Sequence, residues 1–286
     1  MTLSLSSNIS SLSAQRQLQR TSNSLGKVFE RLSSGLRINT ASDDPAGLQM
    51  ADKLRAQSRI AGVAIRNAND GLSFTAIADS ALDQIGGMLT RMAELAEQSA
   101  NGVYTNTQRS AMSAEFLALG SEVERVAKTT EFNGLKLLSN SQNITLQVGL
   151  DSSANSKITV NKVDGTLYGL GLATIGSSQL TYSIISISEE GSQDAATNAL
   201  DAVKDALDNL GAKRGTLGAA ESRLNTAINY LTVARENYIA AESRIRDADV
   251  AMEVAEMVRL QVLQQAGAAV LAQANLQPEL VLNLLK

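Results

Sequence analysis

Four kinds of residue cluster in this chain have the types and spacing to do chemistry. Ser24-Leu25-Gly26-Lys27 sets a hydroxyl three residues before an amine, the spacing of a serine nucleophile activated by lysine. Gly169-Leu170-Gly171, followed by Gly176, has the start of a phosphate-cradling loop. Asp43-Asp44, and Asp247 with Asp249, pair carboxylates as a cation site or an acid–base pair would. Asn8-Ile9-Ser10 and Asn143-Ile144-Thr145 fit the N-glycosylation sequon.

The sequons are triplets common by accident, and each of the other clusters lacks a component. Ser24 and Lys27 interrupt an apolar seam and have no companion motif. The glycine run lacks a third glycine at dinucleotide spacing and follows no strand–helix unit. Neither acid pair has a third converging ligand, so a helix cap and a solvated face are the expected roles. Cys and His are both absent. That removes disulfides, thiolate and imidazole metal sites, and every nucleophile–histidine pair. The expectation is a non-enzyme without cofactor or metal, with no catalytic residue.

The elements around these residues are long and helical. Hydrophobic residues make up 44% of the 286 residues but aromatic ones only 3%, which suits close helix packing better than a wide globular core. Pro occurs only at Pro45 and Pro278, so little interrupts a helix. The net charge of −4 gives no reason to expect nucleic acid or an acidic membrane as partner. Met1 to Ala14 has neither a cation nor an apolar run, so no signal peptide is expected there.

From Ser11 the chain reads Ala14, Leu18, Thr21, Leu25, Val28, Leu32, with Leu18, Leu25 and Leu32 one heptad apart, as in a coiled coil. Asp44 is placed to cap a helix whose first residue is Pro45. That helix is predicted to run to Ala100, about 80 Å at about 1.5 Å per residue. Asn69-Asp70-Gly71 and Gly86-Gly87 are expected to bend it. A second helix is predicted over 105–128, then a turn at Phe132-Asn133-Gly134.

From about 138 to 191 the composition shifts to Ser, Thr, Asn and Gly. Runs 144–148 and 157–160 predict a β-hairpin, and 180–187 a third strand. Helix returns near Asp194 with heptads through Leu200, Val203, Leu207, Leu210, Leu217, Leu224, Ile228, Leu231 and Tyr238. Arg214, Glu221 and Arg235 break this seam and could fix its register.

The last stretch, Leu260 to Pro278, is nineteen residues without a charge. Apolar side chains fall on every side of the implied helix, so protein must surround it. Lipid is a poor surrounding, because Gln261, Gln264, Gln265, Gln273, Asn275 and Gln277 would carry unpaired amides into it. Val262, Val270 and Leu271 are therefore expected, with Leu18, Leu25 and Leu32, to form an assembly core whose partner comes from elsewhere in the chain or from other copies of it. The fold class is mainly α, with long antiparallel coiled-coil helices, packed terminal helices and a small β-hairpin region in the middle. The expected divisions are the two ends together, 1–44 and 243–286, a helical part from 45–138 and 194–242, and a β-rich part over 139–193.

Several of these stretches closely resemble bacterial flagellins. They are Gln15–Leu25, Glu30–Asn39, Ala41-Ser42-Asp43-Asp44-Pro45-Ala46-Gly47, Glu131-Phe132-Asn133-Gly134, Ser243–Asp249, and Gln264-Gln265-Ala266-Gly267 through Ala272-Gln273-Ala274-Asn275. The resemblance covers about 8–138 and 194–286, and the long outer domains of larger flagellins are missing. It implies a self-assembling structural subunit of the flagellar filament, used for swimming motility, whose terminal helices fold on assembly. It implies too that the two ends are a filament core, the helical part a rod and the β-rich part an outer region. It also implies export through the flagellar channel to the cell exterior, and partners among an export chaperone, cap and hook-junction proteins. A hook–filament junction protein is the alternative. Leu89–Gln98 resembles the flagellin segment read by the animal Toll-like flagellin receptor. By that resemblance Arg91, Leu95, Gln98 and Glu115 are contact residues for the receptor or for lateral neighbours, while Thr90 stands where Gln is usual. Flagellin glycans usually sit on Ser or Thr, which makes Ser152, Ser153 and Ser156 candidates.

Overall fold

The computed structural model describes residues 8–139, 142–175, 177–186 and 188–284, with Glu189 and 277–284 as backbone alone. Helices dominate. They are α1 (Ile9–Ser34), α2 (Pro45–Ala100), α3 (Asn106–Thr129), α4 (Leu167–Leu170), α5 (Glu189–Arg246) and α6 (Val250–Leu284). Two small antiparallel pairs lie between α3 and α5: β1 (Glu131–Phe132) with β2 (Leu135–Lys136), and β3 (Ile144–Gln147) with β4 (Lys157–Val160). By their contacts the residues fall into two compact units, one built from the chain's two ends up to Ser58 and from Arg235, the other from Arg59–Ala234.

The helix ends follow from local chemistry. Asn8 caps α1, its Oδ1 accepting from the Ser11 amide at 3.0 Å, and Gly35 ends it at φ 70°. Asp44 Oδ1 accepts from the Gly47 amide at 2.9 Å, and Pro45 is the first residue of α2, as the sequence suggests. Thr105 and Gln108 form a capping box for α3. Asn133 at φ 50° and Gly134 at φ 79° form the two-residue turn between β1 and β2, where both central positions need positive φ.

In the central unit α2, α3 and α5 pack around Leu82, Ile85, Leu89, Met92 and Leu95 of α2. Phe116 and Val123 enter from α3, and Leu200, Val203, Leu210 and Leu217 from α5. Each such fully buried side chain stabilises the unit by about 1.5–3 kcal/mol. The connecting segment adds Leu138, Val160, Leu167, Leu172 and Ile184, so it is part of this core and not a detached lobe. Arg214, one of the breaks in the seam, bonds Asp79 and Asp83 of α2.

In the terminal unit α1 and α6 run antiparallel. Asn8 Nδ2 donates to the Ala274 carbonyl at 2.7 Å near one end, and Arg31 meets Glu253 at 3.3 Å near the other. The heptad positions of α1 are the ones turned inward, with Thr21, Leu25 and Val28 buried. Leu25 and Val28 pack on Leu260 and Met257.

Two features of the chain were not anticipated and one expected strand is not found. α2 continues without interruption through Asn69-Asp70-Gly71 and Gly86-Gly87. Gly71 lies under Leu146 and Leu224, and Gly86 under Leu210, so tertiary packing offsets the weak helix propensity there. Residues 180–186 form no strand, and Ile187 lies outside the described residues. The Thr181 amide donates to the Leu172 carbonyl and the Ile184 carbonyl accepts from Ser99 Oγ, so this extended segment is held by scattered partners without a ladder. α4 was not expected; Thr166 caps it and Gly171 ends it at φ 89°.

Candidate functional site

Most of the clusters whose residue types could do chemistry take part in caps and local hydrogen bonds. Ser24 and Lys27 are both exposed on α1. Gly171 of the glycine run is the C-cap of α4. Asp43 Oδ2 accepts from the Asn39 and Thr40 amides at 3.3 and 3.0 Å. The Thr40 amide bond holds the Asp43 carboxyl below its ordinary pKa, with the Asn39 amide and Thr40 hydroxyl adding to it. Asp249 Oδ1 accepts from the Ala251 and Met252 amides, the capping bonds of α6, and Asp247 accepts from Ser243 Oγ at 2.6 Å. Asn143 Oδ1 accepts from the Lys162 amide. Ser153 and Ser156 both donate hydroxyls to Asp151, and Ser152 is exposed.

What is left is surface. The inner seam of α6 runs Met257, Leu260, Gln264, Gly267, Leu271, Ala274 at alternating three- and four-residue spacing, all partly or fully buried against α1. Gly267 in this seam faces Leu18, whose Cδ1 would lie 3.5 Å from an added Cβ. Most of the other described side chains of the helix are exposed. Val262 is 58% exposed and Val270 59%, with Val258, Leu263 and Leu276 exposed beside them. Of the six assembly residues expected from sequence, Leu25 is thus buried in the helix pair, Leu18, Leu32 and Leu271 are half-buried along it, and Val262 and Val270 face outward. A contiguous apolar helix face open to water marks a binding surface.

A clasp that sequence reasoning did not single out closes the base of this pair. The Arg37 amide donates to the Arg246 carbonyl at 2.6 Å, and the Ala248 amide to the Gly35 carbonyl at 2.9 Å. Arg246 Nε reaches the Ile38 carbonyl at 3.4 Å, and its Nη1 lies 3.6 Å from Asp52. The only advance signal was the crowding of charge in Arg244–Asp249.

On α2 and α3, Arg91 Nε bonds Glu115 Oε1 and its Nη1 bonds Glu94 Oε2, both at 2.9 Å. The Glu115 bond, then the Glu94 bond, raises the Arg91 guanidinium above its ordinary pKa. Gln98 Nε2 donates to the Tyr104 hydroxyl at 3.1 Å. Arg91, Gln98 and Glu115 are exposed on one face, but Leu95 is not part of it. Leu95 is only 2% exposed because it falls on the inward side of α2 among the core residues, so it supports the face from beneath.

Residues 5–143 match the family model of the bacterial flagellin N-terminal helical region, and residues 200–285 that of the C-terminal helical region. The chain belongs to the bacterial flagellins. It is 40% identical over 280 residues to a flagellin of Halalkalibacterium halodurans, covering 98% of both chains. It is 36% identical over 289 residues to the flagellar filament 33 kDa core protein of Treponema phagedenis, again covering 98% of both. A solved structure of a putative flagellar hook-associated protein from Vibrio parahaemolyticus overlaps 72% of this flagellin and all of that chain, with a TM-score of 0.57. At 16% identity that likeness is one of fold alone. Among the described residues no helix of this flagellin is long and apolar enough to cross a membrane.

Proposed function

We propose that this chain is the structural subunit of a bacterial flagellar filament, polymerising through its terminal helices. The observation that carries this reading is the uncovered face of α6, with Val262 and Val270 more than half exposed on a helix that bears no charge from Leu260 to Pro278. Exposed apolar surface of this extent gains its burial when copies assemble. The matching relatives, among them one called a filament core protein, support the same reading.

In this reading residues 1–44 and 243–286 form the filament core, 45–138 and 194–242 the rod around it, and 139–193 the outer region. In the isolated subunit α1 and α6 are held together by a thin seam whose buried side chains, among the described residues, are Thr21, Leu25 and Val28 of α1 and Leu260 and Ala274 of α6. A helix pair with so little covered surface is marginal alone, and neighbouring copies lock it. The subunit leaves the cell through the flagellar channel with a chaperone on its C-terminal segment, and meets cap and hook-junction proteins at the filament ends. The exposed Arg91, Gln98 and Glu115 face serves lateral neighbours, and an animal Toll-like flagellin receptor would read the same surface. The role is structural, without catalysis.

Purified subunits seeded with sheared filament fragments test this. Long filaments in electron micrographs, and proteolysis that trims both ends of the free subunit before its centre, are the expected results. A subunit that forms no fibres under seeding and resists proteolysis evenly along its length overturns the reading.

A further inference from the structure

The chain holds two asparagine–glycine pairs, Asn101-Gly102 after α2 and Asn133-Gly134 between β1 and β2. A glycine leaves its own amide nitrogen unhindered, so that nitrogen can attack the side-chain amide carbon of the asparagine before it. The N–Cγ bond forms as the glycine N–H proton passes to solvent, and Nδ2 leaves as ammonia. Water then opens the five-membered imide at either carbonyl. One opening gives aspartate, and the other gives isoaspartate, with the side-chain carbon now in the backbone. Ring closure requires the glycine nitrogen and Cγ to lie on the same side of the Cα–C bond.

Asn133 keeps them apart. At φ 50° it is a left-handed residue, and the β1–β2 pairing of Glu131 with Lys136 and Phe132 with Leu135 holds it in that turn. Left-handed ψ, about +47°, swings the next nitrogen nearly opposite Cβ and out of reach of Cγ. Closing the imide there would mean opening the hairpin.

Asn101 has the contrary geometry. Among the described residues Asn133 alone of the non-glycines has positive φ, so Asn101 is not left-handed. Its Oδ1 accepts from the Val103 amide at 3.2 Å. That bond closes an Asx turn, whose ring contains the Gly102 nitrogen and folds Cγ back towards it. The Val103 N–H also sits on the oxygen where negative charge develops during the attack, which stabilises that step. Asn101, Gly102 and Val103 are all exposed, so water reaches the ring.

We propose that Asn101 is a site of spontaneous conversion to isoaspartate and aspartate in the folded chain, and that Asn133 is protected from it. The change has a structural consequence. The Asn101 carbonyl accepts from Nη2 of the fully buried Arg109 at 3.1 Å and from the Tyr104 amide at 3.4 Å. Isoaspartate lengthens the backbone by one carbon at this point, which shifts that carbonyl and loosens the bond from Gln98 to Tyr104. An old chain therefore differs from a new one at the end of α2. The inference stands apart from the filament reading, since it holds for a single copy.

Peptide mapping tests it. Trypsin puts the two asparagines on separate peptides, Met92–Arg109 and Thr129–Lys136. The full chain is stored warm at neutral pH, folded or unfolded in urea, and the gain in mass of amide-to-acid exchange is followed. Isoaspartate is read by enzymatic methyl-ester labelling. In the folded chain Asn101 should convert about tenfold faster than Asn133 or more, and urea should erase the difference. Gly102→Ala should slow Asn101 about tenfold, because a Cβ crowds the closing ring. Only the Gln193 side-chain amide stands near that Cβ, and circular dichroism checks that the variant folds. Equal rates at the two asparagines in the folded chain overturn the inference. So does an Asn101 that stays intact when folded, or a Gly102→Ala chain that converts as fast as wild type.

Discussion

Arg214 of α5 holds two carboxylates one turn apart on α2, with Nε 2.8 Å from Asp79 Oδ1 and Nη1 2.8 Å from Asp83 Oδ1. The two helices are thereby pinned in one register at a point where the apolar heptad of α5 is interrupted. All three side chains are more than a third exposed, so solvent screens the attraction and geometry matters more than strength. Arg214→Met, which keeps the aliphatic stem, should lower the stability of the central unit by about 0.5–1 kcal/mol. A thermal melt of the monomer checks it, and an unchanged midpoint would mean that the seam alone sets register.

Glycines on the long helices should respond in opposite ways. Gly218 has open space where a Cβ would go, so Gly218→Ala should stabilise α5 by up to about 1 kcal/mol. At Gly71 a Cβ would overlap Leu146 Cδ1 and stand 3.2 Å from Leu224 Cδ1. Gly71→Ala should give no gain, because displaced leucines offset the helix preference. Urea denaturation of both variants separates them, and equal gains would show that the packing over Gly71 is loose.

Leu25 and Val270 both belong to the terminal helices but should fail differently. Leu25 is 8% exposed in the α1–α6 seam, so Leu25→Asp should loosen the helix pair in the free subunit as well as stop assembly. Val270 is 59% exposed, so Val270→Asp should leave the monomer's helix content unchanged and abolish filaments. Circular dichroism read beside a sedimentation assay distinguishes the two. Filaments from Val270→Asp would show that this face of α6 is not buried between copies.

Asp43 sets a pH response in the turn between α1 and α2. Its folded pKa lies below its ordinary value, first because of the Thr40 amide. The contribution of this turn is therefore present above the ordinary carboxylate pKa of about 4 and is lost as pH falls through the lower folded value. Asp43→Asn should weaken the acid sensitivity of backbone amide exchange at Asn39 and Thr40. An identical acid profile in the variant would assign that sensitivity to another group.

The legible parts of the candidate surface are those set by local periodicity. Leu18, Leu25 and Leu32 were readable because a heptad seam in an uninterrupted helix has one way to turn inward. Val262 and Val270 stood out because no charge lies near them. Leu95 shows the limit: its neighbours Arg91 and Gln98 are on the surface, yet it lies a fraction of a turn away, where α3 and α5 cover it. No spacing within one helix reveals which flank a distant helix will occupy.

The sequence by itself determined the long helices, the cap at Asp44, the hairpin of β3 and β4, and an uncharged tail that requires company. Those features depend on backbone preference and on contacts within a few residues, which a linear text records. Only the tertiary structure decided that α2 continues unbroken through Gly71 and Gly86, that residues 180–186 are extended without a strand partner, and that Arg246 ties the two ends together. In each case at least some of the deciding atoms come from more than sixty residues away, and their packing and hydrogen bonds outweigh the local preferences of fractions of a kcal/mol to about 1 kcal/mol.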